Sequence, residues 1–199
     1  MAAGIARAAA AAGSEVQVVG KVGEDPGGDA ILLDLAAGNV GHVAIIRDPS
    51  RPTPATSPAP VDEPAFDDDD HHPPNADDAD RMTTEPGLSL EAADIELALR
   101  YLPDYRVLVV ADSLAEPSLR VALAAASWNG AALVFIVPAG ATQPAAGDDA
   151  TVIEAPPDDP DDAFAGIVGA YAAAIDRGEE PKEAFASASS TLGWSAVAD

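Results

Sequence analysis

Apolar positions along this chain follow two spacings, one helical and one extended, and they alternate. Ala2 to Ala12 is an alanine-dominated stretch of high helix propensity closed by Gly13, and it predicts a helix. Glu15-Val-Gln-Val-Val19 is β-branched with partial alternation and predicts the first strand. Beyond the glycine-rich stretch Gly20 to Gly28, Asp29 to Ala37 sets Ile31, Leu32 and Leu35 on one helical face, and His42 to Ile46 reads as a second strand. Order resumes at Ser89, an N-cap candidate, with a helix to about Leu102 carrying Ile95, Leu97 and Leu99. Arg106 to Ala111 and Ala131 to Val137 read as buried strands flanking a helix from Ala115 to Trp128. Thr151 to Glu154 reads as a short edge strand. Two helices follow, one from about Asp161 to Asp176 with acidic residues in its first turn and Gly178 as its stop, one behind Pro181. This alternation predicts a parallel sheet with helices on its faces, the α/β class, in a single domain spanning 1–199.

One stretch interrupts the pattern. From Asp48 to about Gly87 the chain turns to Pro, Asp, Ala and Thr, including Asp67 to Asp70 and His71-His72, with almost nothing apolar to bury. A disordered acidic loop over 48–87 is expected. His71 and His72 beside four aspartates have the chemistry of a weak divalent-metal site, but ordering such a run costs entropy, and a solvated loop is the better reading. No metal site is expected.

The charge narrows the partners. The chain carries 34 acidic against 10 basic side chains, a net charge of -24, which repels nucleic-acid backbones and anionic membranes alike. Acidic residues are scattered through the periodic segments as well as clustered, and only Lys21 and Lys182 are lysines. A surface adapted to molar salt follows, where self-repulsion is screened within about 3 Å. There is no cysteine, so disulfides and thiolate metal sites are excluded. No apolar run reaches the roughly 18 residues of a membrane span, and a cytoplasmic setting is expected. Trp128 and Trp194 are assigned to core or interface, since no basic groove accompanies them for base stacking.

Two segments carry a resemblance. Ala2 to Gly13, followed by Val16-Gln-Val-Val-Gly-Lys-Val-Gly-Glu-Asp-Pro-Gly-Gly-Asp29, is similar to the first signature of the ribokinase (PfkB) family of sugar and nucleoside kinases. Gly20, Gly23, Asp25 and Gly28 match its Gly-x-x-Gly-x-Asp-x-x-Gly turn, and Arg51-Pro-Thr53 resembles the start of the lid strands. Asp162-Ala-Phe164, Gly166, the helix to Gly178, Ala184 and Ala188 resemble the second signature. The resemblance implies a three-layer ribokinase-like fold, ATP and magnesium as cofactors of any surviving activity, and a sugar or nucleoside hydroxyl as acceptor. It places the catalytic base at Asp162 and substrate contacts at Gly4, Gly20, Gly23 and Asp25.

The same comparison shows departures. Phosphoryl transfer needs backbone donors for the developing charge, which the family would supply from a Gly-Ala-Gly-Asp turn at a helix start. Here Asp159, Pro160, Asp161 and Asp162 stand there. Pro160 has no N–H to donate, and Asp159 and Asp161 bring carboxylates to where phosphate would sit. The helix-start Asn that would contact sugar falls at Gly4, the family's first strand has no counterpart ahead of Ala2, and its Asn-x-x-Glu metal motif has none between Pro138 and Thr151. On this reading the chain is a shortened, degenerate kinase homologue acting as a binding or regulatory module toward a small metabolite or a protein, with self-association left open. An active divergent carbohydrate kinase is the alternative, and Asp162 as a plain helix-start cap is the bland reading of that residue.

Overall fold

A computed structural model describes residues 1–54, 88–141, 150–159 and 161–191. The elements run α1 Ala2–Ala11, β1 Gln17–Gly23, α2 Pro26–Ala37, β2 Gly41–Asp48, α3 Ala92–Tyr101, β3 Val107–Val110, α4 Glu116–Asn129, β4 Ala132–Pro138, β5 Thr151–Ala155, α5 Ala163–Asp176 and α6 Pro181–Thr191. Among the described residues all strand pairings are parallel, as the alternation of strand and helix demands. They form two sheets, β1-β2 and β3-β4-β5, with β5 at an edge as expected.

Several expectations change in detail. β1 begins later than the β-branched run and continues through Gly20-Lys-Val-Gly23, which the sequence reads as a turn. Pairing of Gly20 with Ile45 and Gly23 with Asp48 supplies the ladder that glycine alone would not favour. α2 starts at Pro26 because Asp25 caps it, and of its apolar residues only Leu35 is fully buried. The cap of α3 is Glu91 rather than Ser89; its backbone N–H donates to Asp94 at 3.0 Å. Within the expected loop 48–87, β2 includes Asp48, and Ser50 and Thr53 are held by carboxylates of Asp48 and Asp25. The remainder of that segment, including His71 and His72, lies outside the described residues, as does Trp194. Trp128 does not fill the core: it is 91% exposed at the end of α4.

The core is built around α5. Its Phe164, Ile167, Val168 and Tyr171 pack against Val134 and Ile136 of β4, with Ile5 of α1 and Ala184 and Ala188 of α6 closing the cluster. α4 covers the opposite face through Ala126 against Val110, Leu133 and Phe135. Helices on both faces of a parallel sheet bury both sides of each strand, which is why β3 and β4 read as unbroken apolar runs. α1 has a second contact, through Ala6 to Leu35 and Val40, that joins it to α2 and the start of β2.

The α1–α5 pair sets the geometry of the candidate site. The two helices run parallel with their starts together: Gly4 lies against Ala165, Ile5 and Ala8 against Gly169, and Ala12 accepts from Arg177 at 3.4 Å. Gly169 makes this closeness feasible, since a Cβ there would lie 2.7 Å from the Ile5 carbonyl oxygen. Among the described residues no helix is long and apolar enough to cross a membrane.

Candidate functional site

The residues singled out by resemblance fall into two clusters. At the start of α5, Asp162 adopts a left-handed backbone (φ 52°, ψ 22°) and its side chain makes no cap bond. Capping comes from upstream. The Asp159 carboxylate accepts from the N–H of Phe164 at 2.9 Å and of Ala165 at 3.0 Å. Two of the free donors that make a helix start attractive to anions are therefore held by a side chain of the same chain. Asp161 is exposed beside them, and Pro160 lies outside the described residues.

Gly4 joins this cluster. A Cβ on Gly4 would sit 3.1 Å from the Ala165 Cβ and 3.5 Å from an Asp162 carboxylate oxygen, so the two positions assigned to sugar contact and base do meet. The start of α1 thus offers little room for a larger side chain at Gly4. Asp162 is also within reach of Arg7, whose guanidinium lies 3.5 Å from its carboxylate and 2.9 Å from that of Asp34 in α2. Neither Arg7 nor Asp34 is among the site residues that the resemblance implies. A lone cation within the alanines of α1 was the available signal, because a charge there has to reach something.

Gly23 and Asp25 form the second cluster. Asp25 accepts from the N–H of Gly28 at 2.7 Å, the N–H of Thr53 at 2.6 Å and the Thr53 hydroxyl at 2.8 Å, and that hydroxyl accepts from the Gly23 N–H at 2.9 Å. These bonds, Gly28 foremost and then Thr53, hold the Asp25 carboxyl below its ordinary value. The glycines let the turn close on itself: a Cβ at Gly23 would lie 2.6 Å from the Arg51 carbonyl and 2.7 Å from the Thr53 nitrogen. The signature thus builds a knot tying β1, the start of α2 and the segment after β2. The fourth match, Gly20, is set apart within β1, where a Cβ would meet only Val18 at 3.9 Å.

Asp25 caps the start of α2 and Asp34 lies near its end, nine positions on, or roughly 14 Å of helix. The resemblance groups Gly4, Asp25 and Asp162 around one substrate; the structure puts Asp25 in one cluster and Gly4 with Asp162 in another. Among the described residues no set of three or more His, Asp or Glu is arranged to hold a metal ion. As for ATP, the amino terminus of α5 does not fit a nucleotide phosphate: its donors carry Asp159, and Asp161 and Asp162 add negative charge.

No protein-family model matches the chain, and no curated protein matches it in sequence. Solved structures do. The crystal structure of Sa239 superposes with a TM-score of 0.63 at 14% identity, over 98% of this chain and 82% of that one. A PfkB protein from Polaromonas sp. JS666 and a fructokinase from Xylella fastidiosa each give a TM-score of 0.47, at 18% and 15% identity. This chain spans 62% and 57% of their lengths. At 14% identity the likeness to Sa239 is one of fold alone.

Proposed function

We propose that this chain is a ribokinase-like binding protein without efficient phosphoryl transfer, acting on a small metabolite or a protein partner. One observation carries the reading: the Asp159 carboxylate occupies the Phe164 and Ala165 N–H groups, the donors that transfer would need for the charge developing on phosphate. Losing one such preorganised donor typically costs about 100- to 1,000-fold in rate. The nearby Asp162, the one residue matching the family base, has a guanidinium at 3.5 Å and two further aspartates for neighbours.

The alternative is an active carbohydrate kinase using ATP and magnesium, and the meeting of Gly4 with Asp162 is the observation in its favour. One assay separates the two. Phosphoryl transfer from ATP is measured with magnesium in molar KCl across a panel of sugars and nucleosides, for the wild type and Asp162→Asn. The binding-protein reading expects both at background. Transfer that Asp162→Asn abolishes would make the protein a kinase.

A further inference from the structure

Two neighbouring helices turn large apolar side chains to solvent. Leu97 and Tyr101 of α3 are 51% and 75% exposed, and Trp128 of α4 is 91% exposed. Leu97 and Tyr101 stand four positions apart, so they share one side of α3, away from the buried Ile95 and Ala98. Trp128 likewise lies on the far side of α4 from its buried Ser118, Ala122 and Ala126.

The exposed groups come together because of how the helices lie. α3 and α4 are in contact and lead into β3 and β4, which are parallel, so the helices run the same way. At their starts the Ser118 hydroxyl donates to the Leu90 carbonyl at 2.9 Å. Trp128 is ten residues past Ser118 and Arg100 ten past Leu90, which brings Trp128 level with the last turn of α3, where Leu97 and Tyr101 flank Arg100. The charges beside them balance: Glu96 pairs with Arg100 at 2.8 Å and Glu116 with Arg120 at 3.7 Å, on a chain whose net charge is -24.

We infer that this face of α3 and α4 is the contact of a homodimer, with a second copy of the chain set against it about a twofold axis and Trp128, Tyr101 and Leu97 as its apolar centre. A twofold contact lays a patch on itself, so the patch has to be its own complement. A face with two positive and two negative side chains is; an acidic face would meet like charge. A basic partner would be drawn to the acidic surface elsewhere rather than to this neutral face. At these exposures the three side chains present roughly 450 Å². Two copies would bury about 900 Å² from them alone, close to the roughly 1,000 Å² at which specific interfaces begin, and Glu96, Arg100 and Arg120 add to it. Tryptophan, tyrosine and arginine are also the residues that dominate interface energetics. Salt favours the contact by screening the repulsion between two chains of like net charge. The inference is independent of whether phosphoryl transfer is lost, because α4 covers the sheet face opposite α5.

The test is sedimentation equilibrium of the full chain from micromolar to millimolar concentration, in rising KCl. It compares the wild type, Trp128→Ser, Leu97→Ser and a control, Leu33→Ser, which removes a leucine 71% exposed on α2. These side chains stand in solvent, so circular dichroism should show every variant folded. The wild type is expected to reach the dimer mass and to associate more tightly as KCl rises. Trp128→Ser should raise the dissociation constant at least about tenfold, Leu97→Ser less, and Leu33→Ser not at all. In a Trp194→Phe background, which leaves Trp128 as the one indole, emission should shift to the blue over the same concentrations. A monomer throughout would overturn the inference, including one whose Trp128 already emits as a buried indole because the chain's own residues cover it. So would a dimer that Trp128→Ser leaves as tight as the wild type, or one that Leu33→Ser weakens as much.

Discussion

Replacing Gly169 by alanine tests the contact on which the candidate site is built. A Cβ at that position would stand 2.5 Å from the Ala8 Cβ, 2.7 Å from the Ala9 nitrogen and 2.7 Å from the Ile5 carbonyl oxygen. Ordinary contact needs about 3.5–4.0 Å, so α1 has to retreat by roughly 1 Å. Two of the three clashing atoms are backbone and cannot rotate aside. Overpacking of this kind costs about 1–3 kcal/mol, and the rigid contacts place Gly169→Ala in the upper half of that range. Alanine recovers about 1 kcal/mol of helix propensity, leaving a net loss of about 1–2 kcal/mol. For a chain of this length that lowers Tm by roughly 2–8 °C, measured by circular dichroism in molar KCl. Adding Ala8→Gly relieves the side-chain clash alone and itself gives up about 1 kcal/mol of helix propensity, so it should not restore the wild-type Tm. A Tm equal to or above that of the wild type would refute the close parallel packing of α1 on α5.

Two further outcomes probe the clusters. Asp25 has a folded pKa lowered from 3.8, so its contribution to stability is present above the ordinary carboxylate range and is lost as pH falls through the lowered value. Asp25→Asn should therefore shift the urea midpoint downward at pH 6, and the gap from wild type should close as the pH drops below about 4; a gap independent of pH would contradict the network drawn around Thr53. Asp159→Ala exposes the Phe164 and Ala165 donors and should cost about 1 kcal/mol, as lost N-caps do, whereas Asp162→Ala should cost less. The reverse ranking in thermal melts would place the cap at Asp162 instead.

The alternation of elements was legible because it rests on local chemistry. The alanines of α1, the β-branched run of β3 and the proline ahead of α6 each favour one backbone state whatever surrounds them. Gly13 and Gly178 mark helix stops from sequence alone, and both have positive φ, 98° and 89°. Where an element depended on a distant partner, the reading slipped. Gly20 to Gly23 looks like a turn until β2 lies alongside it, and of the two places the sequence allows Trp128, core or interface, its 91% exposure on α4 removes the core.

The candidate site divides along the same line. The sequence by itself determined which residues stand at the start of α5, and that three aspartates there suit an anion poorly. Only tertiary structure decided that Asp159 takes the helix donors, that Asp162 meets Gly4 and Arg7, and that Asp25 spends its oxygens on Gly28 and Thr53. The Arg7–Asp162 contact spans 155 positions and follows from how α1 packs on α5, and the Asp25 bonds follow from how the segment after β2 returns to the start of α2.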